Sequence, residues 1–136
     1  MVILFSFFLI LILVACRTDT IDELSDLDIS QILELNLELE GRNISFVDLE
    51  SGYYYFVSNN CSACLDEDLA KVEGFNLSSS SKIYVITSNN ETIARVSHFL
   101  NNTKIYKAHT ELSQWNFMLE KIDNEIYFVD LEELTN

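Results

Sequence analysis

What most limits the fold of this chain is a junction in its middle, where an apolar run gives way to a cysteine pair and then to an acidic, periodic segment. Tyr53-Tyr54-Tyr55-Phe56-Val57 is aromatic and β-branched without helical spacing, which is the composition of a buried strand. Asn59 and Asn60 break the run. Cys61-Ser62-Ala63-Cys64 then opens a segment in which Leu65, Leu69 and Val72 share one helical face. Asp66, Glu67 and Asp68 fall in its first turns, where the helix dipole favours anions. A strand that delivers Cys-x-x-Cys to a helix N-terminus gives a reactive dithiol its setting. Free N–H groups and the positive dipole end favour a thiolate on Cys61, and Cys64 follows one turn on, within disulfide reach.

Two plainer uses of a cysteine pair compete with that reading. A zinc site needs further ligands, and the only other cysteine is Cys16, while His98 and His109 are not paired at ligand spacing. A structural disulfide stays open, but a bridge between residues three apart closes a very short loop and removes little chain entropy. Redox chemistry is the favoured use. His98, on an expected helix, and His109, near a loop, read as ordinary partly exposed histidines.

The first fifteen residues are apolar apart from Ser6, a run too short to span a bilayer comfortably and typical of the apolar core of an export signal. Leu13-Val14-Ala15-Cys16 resembles the lipobox of bacterial lipoproteins, in which the cysteine is lipidated and becomes the mature N-terminus. No Lys or Arg precedes the run, so the usual basic region is absent, and an uncleaved anchor is the other reading. Either one exports the rest of the chain. With lipid on Cys16, two neighbouring cysteines remain, as an oxidisable pair in an exported protein requires.

Residues 17–31 form an acidic tether, with Asp19, Asp22, Glu23, Asp26 and Asp28, and a helical turn is expected around Ile21 to Leu27. Residues 32–136 are long enough for one small domain with one core. The net charge of −14, with only eight Lys and Arg spread thinly, argues against nucleic acid as a partner.

From Leu33 to Leu39, leucines alternate with polar residues at a period of two, the pattern of a half-buried strand. Glu40-Gly41-Arg42-Asn43 supplies a turn and Ile44-Ser45-Phe46 a return strand. Lys82 to Ser88 reads as a second apolar strand after the dithiol. Glu91 to Leu100 reads as a helix capped by Asn89 or Asn90, and Lys104 to Ala108 as a short edge strand. Glu111 to Ile122 reads as a helix with Leu112, Trp115, Leu119 and Ile122 on one face, and Glu125 to Asp130 as a third core strand. Alternating strands and helices imply parallel pairing in an α/β sandwich.

Several of these motifs together resemble the thioredoxin-like thiol–disulfide oxidoreductases of the cytochrome-maturation and alkyl-hydroperoxide-reductase type. The carriers are Glu40-Gly41-Arg42, Ile44 to Leu49 with Gly52, the apolar Tyr53 strand, and Cys61-Ser62-Ala63-Cys64. The resemblance implies a thioredoxin-like three-layer α/β sandwich with an N-terminal β-hairpin, shortened at the C-terminus. It implies thiol–disulfide exchange on exported proteins, with Cys61 attacking and Cys64 resolving, and no bound cofactor or metal. The family carries a cis-proline just before the third core strand. This chain contains no proline, and by position Asn124 falls there. The expected location is a bacterial cell envelope, lipid-anchored and facing a periplasm or the cell surface. Helix dipole and nearby acids oppose each other at Cys61, and Asp66, Glu67 and Asp68 are expected to be half exposed and screened, so a modest pKa depression and a reducing couple are expected. The alternative function is a redox-inactive, lipid-anchored interaction module on the same fold.

Overall fold

The computed structural model describes residues 29–57, 62–78, 82–100, 103–109 and 116–135. In chain order these form α1 (Ile29–Leu33), β1 (Asn36–Leu39), β2 (Arg42–Ser45), a 3-10 turn (Phe46–Asp48), β3 (Gly52–Val57) and α2 (Ser62–Ser78). There follow β4 (Ile83–Thr87), α3 (Asn90–Phe99), β5 (Ile105–Ala108), β6 (Phe117–Ile122), β7 (Glu125–Val129) and a 3-10 turn (Leu131–Thr135). The strands make one mixed sheet of seven in the order β2-β1-β5-β4-β3-β6-β7. The fold is mixed α/β.

The Tyr53 run forms β3, at the heart of the sheet. It pairs parallel with β4, Val57 opposite Thr87, and antiparallel with β6, Phe56 opposite Phe117. Both its faces are covered, which explains an unbroken apolar sequence. On one face Tyr54 and Phe56 join Phe46, Tyr84, Ile86, Phe117 and Leu119 beneath α1 and the first 3-10 turn. Phe56 and Phe117 stack at 4.5 Å, and Tyr54 stacks on Tyr84 at 5.0 Å. On the other face Tyr55 and Val57 meet Leu65, Leu69 and Val72 of α2, Val96 of α3 and Leu131. The helical stripe expected after the cysteines is thus the buried face of α2. Asn89 caps α3 by accepting from the Glu91 N–H at 2.8 Å.

The β1–β2 hairpin closes through Glu40 (φ 52°) and Gly41 (φ 79°), two left-handed residues that match the twist of the flanking strands. Four expectations change. The alternating leucines do not make one long strand: Leu33 ends α1, and β1 begins at Asn36. Phe46 leaves the return strand and enters the 3-10 turn. The strand over 105–108 is internal, because β1 pairs with its outer side, Leu37 opposite Ala108. The largest change is at Glu111 to Ile122. Residues 117–122 are strand β6, not helix, drawn into the sheet by pairing with β3 and β7. Residues 111–115, with Trp115, lie outside the described residues.

Candidate functional site

Strand β3 ends at Val57 and helix α2 begins at Ser62, so the cysteine pair lies across the strand-to-helix junction, at the carboxyl end of an interior strand. The parallel pairing of β3 with β4 brings the end of β4 and the N-terminus of α3 to the same rim. The antiparallel pairing with β6 brings Asn116, the residue before β6, to that rim as well. The backbone of Cys64 is the third residue of α2. Its side chain, all of Cys61, and Cys16 lie outside the described residues.

One turn beyond Cys64 on α2 stands Asp68, only 3 % exposed. The amide of Asn116 donates to its Oδ2 at 2.9 Å, and the hydroxyl of Tyr55 donates to the same oxygen at 3.3 Å. Helix, central strand and β6 are therefore tied together by one buried carboxyl directly under the junction. Burial pushes the Asp68 pKa up, and Glu67 adds to that. The Asn116 bond, the charge of Lys71 and the Tyr55 bond pull the other way without cancelling it. A carboxyl that keeps its proton further up the pH scale can hand protons to, or take them from, a nearby thiol.

The other two acids of the run differ sharply. Asp66 is half exposed and accepts from Arg95 Nη2 at 2.7 Å, which joins α2 to α3. Glu67 lies 3.7 Å from Lys71, which also reaches Glu132 of the C-terminal 3-10 turn at 3.3 Å. All three acids were expected to be half exposed, so the burial of Asp68 is a correction. The signal was present in the sequence: Leu65, Asp68, Leu69 and Val72 fall at the i, i+3, i+4 and i+7 positions of the apolar stripe.

Asn124 is exposed in the two-residue turn between β6 and β7, away from this rim. With β6 recognised as a strand, the residue that precedes the antiparallel partner of β3 is Asn116. Sequence spacing had hidden it behind a helical pattern. Among the described residues no peptide bond is cis. His98 on α3 and His109 after β5 are both exposed and far from this cluster in the chain. No group of His, Cys, Asp and Glu among the described residues could hold a metal ion, and none of the described helices is long and apolar enough to cross a membrane.

A second polar cluster closes the opposite end of the strands. Glu50 accepts from the Tyr84 hydroxyl and from Lys82 Nζ at 3.1 Å, and its backbone carbonyl accepts from the Tyr54 hydroxyl at 2.5 Å. These bonds hold its carboxyl below the usual range. Its work is to anchor the starts of β3 and β4 rather than to serve the junction. Comparison with protein-family models, with curated proteins and with solved structures finds no match to this chain.

Proposed function

We propose that this chain is a thioredoxin-like thiol–disulfide oxidoreductase, tethered to the bacterial cell envelope by lipid on Cys16 and acting on exported proteins. The observation that carries the reading is the position of Cys-x-x-Cys across the junction where β3 ends at Val57 and α2 begins at Ser62. Ligand and reaction sites of open α/β sheets gather at such carboxyl ends, and an α-helix N-terminus favours a thiolate. The alternation β3, α2, β4, α3 also supports the strand–helix succession that the resemblance implies.

In the proposed cycle the Cys61 thiolate attacks a partner disulfide, forming a mixed disulfide and releasing one partner thiol. The Cys64 thiol then loses its proton and attacks Cys61, leaving an intramolecular disulfide and the second partner thiol. The partner gains two electrons and the dithiol loses two. Asp68 is suited to hold the proton that Cys64 gives up.

Insulin reduction by the full chain is the first test, and Cys64→Ser should trap mixed disulfides through Cys61 while Cys61→Ser traps few. Titration against glutathione should give a reducing couple; a midpoint near about −120 mV, the value of a strong oxidant, overturns that direction. Palmitate labelling lost in Cys16→Ser tests the anchor, and labelling that persists removes it. One observation favours the second reading, an interaction module without turnover. Asn116, at the position where the family has proline, spends its amide on Asp68. Failure to reduce insulin and to trap any partner selects that reading.

A further inference from the structure

Strand β7 ends the sheet, and among the described residues nothing pairs with its outer side. Its sequence, Glu125-Ile126-Tyr127-Phe128-Val129, has no lysine, proline or bulge to guard the edge, only the glutamate at its start, and keeps a regular five-residue register with β6. Tyr127 is 47 % exposed and Ile122, beside it on the same sheet face, 48 %. Large apolar groups at an unguarded edge invite a further strand.

We propose that β7 pairs with β7 of a second copy of this chain, antiparallel and centred on Tyr127, so that the two sheets run on as one. The occupant follows from the self-complementarity of the strand. The β6–β7 hairpin closes through two residues, with Ile122 opposite Glu125. In such a hairpin the closing pair exchanges both its hydrogen bonds and the pairs then alternate. Glu125, Tyr127 and Val129 therefore turn their backbone groups toward β6, and Ile126 and Phe128 turn theirs outward.

A two-fold axis at Tyr127 sets Ile126 of one copy opposite Phe128 of the other, twice, so every outward donor meets an outward acceptor. The same register sets Glu125 opposite Val129 rather than opposite another carboxylate. The two copies of Tyr127 become a close, non-hydrogen-bonded pair at the centre. Each Tyr127 hydroxyl, which donates to Glu125 of its own chain, also has the partner copy's glutamate as its diagonal neighbour. Pairings shifted by two residues bring strand ends past each other and lose this match.

The charge of −14 on each chain opposes association, so pairing strengthens as salt screens it. The test uses the full chain in bacterial membranes and in mild detergent, with Cys61 and Cys64 both replaced by serine to silence the dithiol. Tyr127→Cys brings two thiols within the Cα separation a disulfide accepts, so mild oxidation should yield a covalent dimer. Glu125→Cys, which faces Val129 of the other copy, should cross-link no more than its parent, in which any link can only run through Cys16. In the chain with its native cysteines, Tyr127→Lys should give a monomer by sedimentation that still melts cooperatively, with a midpoint independent of concentration. Equal cross-linking at 125 and 127, or a monomer at every salt concentration, overturns the proposal. So does cross-linking of Tyr127→Cys to a different protein, which would make β7 a docking edge for another partner.

Discussion

Asp68 shows at a single residue how the core of this protein is joined to its candidate site. The carboxyl is buried, accepts from Asn116 and Tyr55 through one oxygen, and lies near the cation of Lys71, with Glu67 acting against it. Its pKa in the native state is raised above the ordinary value of 3.8, so the native protein holds this proton more tightly than the unfolded chain. The contribution of Asp68 is therefore best below pH 3.8 and is lost as pH climbs through the raised native value, above which the buried carboxyl carries a charge. Asp68→Asn keeps an oxygen for both donors and removes that charge. It should melt higher than the parent at pH 7, with the gap closing as pH falls toward the ordinary carboxylate range. A gap of constant size across that range would show that the charge of Asp68 costs nothing. Lys121 is the opposite case, a buried lysine whose ammonium donates to the Leu49 carbonyl at 2.7 Å and the Asp123 carbonyl at 2.5 Å. Lys121→Met keeps the stem and deserts both carbonyls, at a cost of about 1–3 kcal/mol measured by denaturant unfolding.

At the scale of elements, the sheet depends on close approach at the start of β3. A Cβ on Gly52 would meet the Lys82 carbonyl oxygen and Tyr84 Cε2, each at 3.0 Å, and the Tyr53 N–H donates to that same carbonyl at 2.9 Å. Gly52→Ala must push β4 away from β3 and should cost about 1–3 kcal/mol in unfolding free energy. An unchanged unfolding midpoint would mean that the strands have slack there. Which elements could be read from the sequence follows from how each is buried. β3, β4, α2 and α3 were legible because each shows either an unbroken apolar run or a single apolar stripe. β6 was not, since Phe117, Met118 and Leu119 are all buried and leave no alternation. The spacing of Leu112, Trp115, Leu119 and Ile122 mimicked a helix, and local periodicity lost to tertiary pairing with β3 and β7. The same error moved the residue ahead of the third central strand from Asn116 to Asn124. At the candidate site the cysteines were legible as a motif, whereas the Asp68–Asn116–Tyr55 cluster needed the sheet register to come together.

For the whole molecule the dominant fact is charge. Of the eight basic residues, Lys71, Lys82, Arg95 and Lys104 pair with carboxylates and Lys121 is spent on backbone carbonyls. Exposed pairs of this kind each contribute little, and they leave the surplus of acids largely unanswered. Self-repulsion should then weigh on the native state more than screening weakens its few ion pairs. The melting temperature is expected to rise with sodium chloride between low and physiological ionic strength. A fall over that range would mean that the pairs joining α2 to α3 and to the C-terminal turn matter more than net charge.

The position of the first hairpin has a consequence in time. β1 and β2 can close early through their own two-residue turn, yet the sheet neighbour of β1 is β5, with Leu37 opposite Ala108. Until β4 and then β5 have joined β3, the hairpin has no sheet to complete, and closing so long a loop is slow. Pulsed amide exchange during refolding should show protection at β3 and β4 before β1. Protection of β1 in the earliest phase would reverse that order of assembly.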